Sequence, residues 1–198
     1  MALALLDDTP AFPSFDLGPH RLAEYEELPE TPRRELIFGR FYVLPSPTLL
    51  HHAIASLLWN HLRALGRAVG GRAFLAPLDT VLADHSVVQP DVIYLSAGRR
   101  ELVRERIEGV PDLVVEVASP RTARIDRGEK LRAYADAGVA EYWLADGADR
   151  LIEFLVLPEG SYVVYLPEGS TYRSPVFPEI QIDLEVFWRE VEKELEVG

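Results

Sequence analysis

A chain of 198 residues with 48% apolar and 26% charged side chains can bury one sizeable core and is short for two. It has no cysteine, which excludes disulfides, thiolate metal sites and a cysteine nucleophile, so any metal must be held by oxygen or imidazole. A formal net charge of −12 argues against broad adhesion to nucleic acid, because phosphate binding is driven by lysine and arginine displacing counterions.

Residues 1–19 read as an irregular arm marked by Pro10, Pro13 and Pro19. Its apolar stretch Ala2–Leu6 is broken by Asp7 and Asp8 and lacks a basic flank, so no signal peptide is expected. No later run approaches a membrane span, and a cytoplasmic protein is expected. A short helical pattern covers His20 to Leu28. Glu35–Phe38 and Phe41–Leu44 then flank Gly39-Arg40, the Gly-X pair that a type II′ hairpin turn asks for. Leu50, Ile54, Leu57, Leu58, His61, Leu62 and Leu65 recur at helical spacing and predict an amphipathic helix lying on a sheet, ended by Gly70-Gly71.

Strands are expected over 72–75, 77–82, 87–95 and 113–118, the last stopped by Ser119-Pro120. Asp126-Arg-Gly-Glu129 has the form of a capping box, which predicts a helix from about Arg127 to Ala137 with Gly138 just past its end. Strands over 141–145, 151–157 and 162–166 follow, and an acidic amphipathic helix covers 184–196. With no repeat and no linker, the chain reads as one α/β or α+β domain with a central mixed sheet flanked by helices.

Charge is unevenly distributed. Residues 96–132 hold nine basic side chains against seven acids, while the remainder carries the negative excess. That pattern fits a restricted polyanion site, and it fits a salt-bridged surface equally well. Only two of the twenty basic residues are lysines, Lys130 and Lys193. An ammonium is compact and can release its proton when its pKa is lowered, so Lys130, fourteen residues after an acid in an apolar strand, is a candidate for chemistry. Its bland alternative is a helical ion pair with Asp126, four residues before it.

Two acids stand in apolar surroundings, Asp91 within 87–95 and Glu116 within 113–118. An uncompensated buried carboxylate must shift its pKa or find a cation, so paired strand acids suggest a divalent metal with oxygen ligands. Each acid alone is better explained by solvation or an arginine partner at a strand end. Asp112, on the same face as Glu116, is roughly 13 Å away along an extended strand, too far to share an ion. His51, His52 and His61 read as capping or solvated residues, and Tyr142 or Trp143 could stack on bases or belong to the core.

Pro90-Asp91, followed by Glu116 two residues before a third functional position, resembles the PD-(D/E)XK nuclease superfamily. The chain departs from that pattern at Ala118, where the lysine would stand, and Lys130 on the following helix is placed to substitute. Glu35-Leu-Ile-Phe-Gly39, Gln89-Pro90-Asp91, 111–120, Asp126-Arg-Gly-Glu-Lys130, Tyr134 and 137–146 together resemble the bacterial family of uncharacterised restriction-endonuclease-like proteins within it. The resemblance implies a nuclease-like fold and Mg²⁺ or Mn²⁺ held by Asp91 and Glu116, with the backbone carbonyl of Val117 as a third ligand and Glu35 as an accessory acid. It implies Lys130 as the catalytic amine and hydrolysis of DNA phosphodiesters. Arg121, Arg124 and Arg127, spaced by three, are expected to contact flanking phosphates, with a solvated arginine face as the equal alternative. DNA is the expected partner, with a homodimer compatible and a membrane not. The rival class is a nuclease fold kept for binding or assembly without catalysis.

Overall fold

The computed structural model describes residues 17–196. Most of the expected N-terminal arm, including Ala2–Leu6, Pro10 and Pro13, lies outside the described residues. The first elements are a short helix α1 (Leu22–Glu26) and the hairpin β1 (Arg34–Ile37) and β2 (Arg40–Val43). The hairpin turn sits one residue earlier than expected. Ile37 pairs with Arg40, so the loop is Phe38-Gly39, and φ is positive at both, 49° and 71°. That is the signature of type I′ and not of type II′. A non-glycine residue holds this backbone because its surroundings fix it: the Phe38 side chain is buried, its carbonyl accepts from Gly18 N at 2.7 Å, and Gly39 N donates to the His85 carbonyl at 2.8 Å.

Helix α2 (Leu49–Ala68) starts where the Thr48 side chain accepts from His51 N at 3.2 Å. Its stripe of Ile54, Leu58 and Leu62 is fully buried, and each such side chain contributes about 1.5–3 kcal/mol. Strands β3 (Arg72–Leu75), β4 (Thr80–Ala83), β5 (Ser86–Val88) and β6 (Val92–Leu95) follow. The single strand expected over 87–95 is therefore two, separated by Gln89-Pro90-Asp91. Proline has no N–H to donate to a ladder, and here the chain leaves one sheet for another.

β5 belongs to a five-stranded sheet in the order β2-β1-β5-β4-β7, where β7 is Ile107–Glu108. β6 belongs to a six-stranded sheet in the order β11-β10-β9-β8-β6-β3. Its other members are β8 (Leu113–Ala118), β9 (Glu141–Asp146), β10 (Leu151–Val156) and β11 (Val163–Tyr165). β8 and β9 run parallel, whereas β6 and β8 run antiparallel, so the sheet is mixed. A small pair, β12 (Thr171–Arg173) and β13 (Gln181–Asp183), leads into α5 (Leu184–Leu195), which Asp183 caps by accepting from Val186 N at 3.1 Å.

The parallel connection from β8 to β9 is helical from Ala123 onward: α3 (Ala123–Ile125), one π turn (Asp126–Lys130) and α4 (Leu131–Ala137), ended by Gly138 at φ 89°. The expected capping box is overturned. Asp126 has helical φ/ψ and is buried inside the run, and the helix starts upstream, where Ser119 and Thr122 bond to each other and Ala123 N donates to the Ser119 carbonyl at 2.8 Å.

Alternation along β8 divides the core. Leu113, Val115 and Val117 pack with α2, α5 and Trp143, while Val114 packs with Tyr134, Tyr142, Ile37 and Phe38. The result is an α+β domain of mixed sheets flanked by helices, as expected from the sequence. Tyr142 and Trp143 are both fully buried, which removes them as base-stacking residues. Among the described residues no helix is long and apolar enough to cross a membrane.

A Cβ on Gly39 would lie 2.3 Å from the Gly18 carbonyl oxygen, a backbone atom that cannot rotate away. Gly39→Ala is expected to cost about 2 kcal/mol or more through this clash and the positive φ. A urea midpoint equal to that of the wild type would show that the close approach is not held in solution.

Candidate active site

The six-stranded sheet opens at one end onto a cavity of about 600 Å³ whose wall includes His51, Asp91, Glu116, Val117, Asp126 and Lys130. β6 and β8 explain why the first two acids meet there. Val92 pairs with Val115, and carrying that register one residue further sets Asp91 opposite Glu116. Opposite residues of an antiparallel pair point to the same face, with Cβ atoms roughly 4.5–5.5 Å apart. Asp91 is placed by the β5–β6 break, where its Oδ2 accepts from Val117 N at 2.8 Å and its Oδ1 lies 3.0 Å from His51 Nε2.

Lys130 enters from the helical side. Its Nζ lies 2.9 Å from Glu35 Oε1, 2.9 Å from Glu116 Oε1 and 3.9 Å from Asp126 Oδ1, and the side chain is 5% exposed. The Tyr134 hydroxyl also donates to Glu116 Oε1. Glu116 is thus gripped through one oxygen, and the other is the one left for a ligand. Glu35 is fully buried, accepts from Gln89 N at 2.7 Å through the same Oε1 that meets Lys130, and keeps Oε2 without a hydrogen-bond partner. It stands behind Lys130 as a counter-ion and does not contribute to the cavity wall.

Burial is the largest influence on Glu116 and drives its carboxyl well above the ordinary range. The Lys130 charge opposes this, while Asp91, Asp126 and Glu35 reinforce it. Burial alone would lower Lys130, but Glu116, Glu35 and Asp126 outweigh it and hold the ammonium charged. Burial likewise raises Asp126 from 3.8 to about 6. His51 loses basicity to burial and regains more from the Asp91 carboxylate, with the Val117 carbonyl adding to the rise, so it is raised overall. The cluster carries more potential negative charge than one ammonium can balance.

A divalent cation fits this donor set. Among the described residues no three carboxylate or imidazole groups are already gathered as a cage. Mg²⁺, however, is commonly bound through one or two carboxylates while keeping several waters, and Asp91 and the free oxygen of Glu116 supply that.

The arginines divide differently from the expectation. Arg121 lines the cavity, but Arg124 lies 3.6 Å from Glu129 and Arg127 is paired with Glu153. Arg99 and Arg106 also face acids, Asp112 at 3.4 Å and Glu26 at 2.7 Å, so much of the local basic excess is neutralised within the fold. Sequence reasoning missed His51, read as capping or solvated, because nothing local announces a partner forty residues away. It also gave no role to Tyr134 or to the Gln89 amide. His61 meets the Gln181 carbonyl and lies away from the cavity.

Two opposed strand acids, one of them bonded to a buried lysine, thus stand on a mixed α+β core that shares its fold with a solved protein. A solved protein of that shape is described as "a putative nuclease belonging to DUF820" from Anabaena variabilis; it superposes with a TM-score of 0.73 at 22% identity, covering 87% of this chain and 99% of that one. The chain belongs to the Uma2 family, described as "Putative restriction endonuclease", whose model matches residues 22–185. Comparison with curated proteins gives no match.

An exposed helical lysine contributes little to folding, but Lys130 is buried among acids. Lys130→Ala would strand Glu35 and Glu116 and should cost about 3–5 kcal/mol, whereas Lys130→Arg, which keeps the charge, should cost less. Urea unfolding measures both, and an alanine variant within 0.5 kcal/mol of wild type, the rough range of neutral surface changes, would refute the buried pairing.

Asp126 gives a pH signature. Because its folded carboxyl is raised from 3.8 to about 6, the folded chain holds the proton more tightly than the unfolded one. The stability this supplies is fully present below pH ~4 and is lost as pH rises to ~6, on the order of 3 kcal/mol in total. Asp126→Asn should lose this dependence, so the variant should gain on the wild type between pH 4 and pH 7. A wild-type-minus-variant difference that is flat over this window would show that Asp126 titrates normally.

Proposed function

We propose that the chain is a metal-dependent endonuclease that hydrolyses phosphodiester bonds in DNA. The observation that carries this reading is that Asp91, Glu116 and Lys130, from two strands and a helix, line one cavity, with Lys130 bonded to Glu116. Asp91 and Glu116 would hold Mg²⁺ or Mn²⁺, with the Val117 carbonyl as a further oxygen ligand. Such an ion, when bound, lowers the pKa of a coordinated water and offsets charge developing on the phosphorane.

The chain's own groups do the positioning. Tyr134 and Lys130 fix one oxygen of Glu116 and so orient the other. Lys130, held charged by Glu35 behind it, presents an N–H to an anionic group entering the cavity. Arg121 and Arg33, both on the cavity wall, would contact phosphates on either side of the scissile bond and position the strand without reading bases. The proline-rich rim, with Pro45, Pro47, Pro77 and Pro120, restricts the conformations of the mouth.

The competing reading, a nuclease fold retained for binding or assembly, is favoured by the neutralisation of Arg124 and Arg127 by neighbouring acids. The two separate in one experiment. Purified wild type should nick supercoiled or single-stranded DNA with Mg²⁺ or Mn²⁺ and not with Ca²⁺, and Asp91→Ala should lower the rate by roughly a hundredfold or more. DNA affinity should rise when Ca²⁺ neutralises the carboxylates and fall with monovalent salt. Folded wild type that binds DNA with Ca²⁺ but never cleaves it supports the non-catalytic module, and absence of any association at low salt removes the nucleic-acid function altogether.

A further inference from the structure

His51 stands in the first turn of α2, fixed there by the Thr48 cap, and its ring enters the same cavity as Asp91, Glu116 and Val117. Its Nε2 lies 3.0 Å from Asp91 Oδ1, and the Val117 carbonyl is a second acceptor beside the ring. These two oxygens are the ones that would ligate a cation from Asp91 and Val117. The His51 ring thus borders both oxygens, and a cation bound through its nitrogen would draw His51, Asp91 and Glu116 into a three-ligand set that they do not already form.

We propose that His51 is a direct nitrogen ligand of the cation held by Asp91 and Glu116, and that the site therefore selects Mn²⁺ over Mg²⁺ and Ca²⁺. Neutral imidazole suits transition metals, whereas carboxylate, carbonyl and water alone suit Mg²⁺ and Ca²⁺. Two carboxylates and a carbonyl would leave Mn²⁺ and Mg²⁺ nearly equivalent, and one nitrogen breaks that equivalence. The rival role is that of a positioning residue: His51 would donate to Asp91 from outside the coordination sphere and orient it for any ion. This inference rests on the metal-dependent reading above and adds the identity of the ion and of one ligand.

The test is metal binding to the full chain without DNA, measured by calorimetry for Mn²⁺, Mg²⁺ and Ca²⁺ and by electron spin-echo modulation on the Mn²⁺ complex. Wild type should show a directly bound ¹⁴N, which His51→Gln should lose. His51→Gln keeps an N–H for Asp91 but offers no imidazole, and His51→Ala removes both, with thermal unfolding confirming that each variant is folded. Both should weaken Mn²⁺ by roughly ten- to a hundredfold while changing Ca²⁺ by less than about threefold. Mn²⁺ bound without nitrogen coupling, or equal losses for all three ions in the alanine variant with rescue by glutamine, overturns the ligand role and leaves the metal-dependent reading standing. Wild type that binds none of the three ions overturns both.

Discussion

An ammonium buried away from water is tolerated only when acids surround it, and in this chain those acids come from three separate parts of the fold. Glu35 is on β1 of the five-stranded sheet, Glu116 on β8 of the six-stranded sheet, and Asp126 on the helical crossover that carries Lys130 itself. The desolvation penalty of a single buried ion is several kcal/mol, so none of these pieces can move without leaving a charge exposed to a low-dielectric interior. Lys130 is thus the tie between the two sheets as well as the amine closest to the cavity. Packing alone would bring the sheets together, but the shared ammonium fixes which residues of each face the opening.

The surplus of acid around that tie gives the cavity its character. With Glu116 raised by burial and Asp126 lifted to about 6, the pocket holds protons that a denser positive charge could displace. A body that is acidic overall repels phosphate, so under the function proposed above polyanion binding would depend on a cation being bound first. The arginines do not relieve this, because several are spent on acids of the same fold. Arg121 and Arg33 remain on the cavity wall, a narrow basic opening in an acidic surface.

What the sequence revealed follows from which information is local. The period of Leu50 to Leu65, the alternation of 113–118 and the glycine at 138 are written in neighbouring residues, and α2, β8 and the left-handed end of α4 follow them. The split of 87–95 between two sheets was not legible, because an apolar run does not say which neighbour it pairs with. Pro90 was the only signal. Asp126-Arg-Gly-Glu129 imitates a capping box in spacing, yet the true helix start at Ser119 and Thr122 carries hydrogen-bonding side chains at the same spacing about two turns earlier. At the site, residue types pointed to acids and a lysine, while the Tyr134 grip on Glu116 and the His51 contact with Asp91 depend on tertiary neighbours. The burial of Lys130 was not legible for the same reason: a helical position says nothing about the depth of the groove beneath it.

The π turn at Asp126–Lys130 amounts to one extra residue in an otherwise regular crossover. Each residue of an α-helix advances about 100° around the axis, so the segments before and after the turn are out of phase by that angle. Asp126, Lys130 and Tyr134, spaced by four, share the buried face as they would in an uninterrupted helix, so the insertion sets the phase of the residues before Asp126 against them. When related chains are aligned, a one-residue gap between 126 and 130 would therefore mark a change of register, with the segment before the turn rotated by about 100° against Lys130 and Tyr134 even where the flanking letters are identical. Length in this crossover, as much as residue identity, records how the Ser119–Ile125 segment is turned relative to the amine.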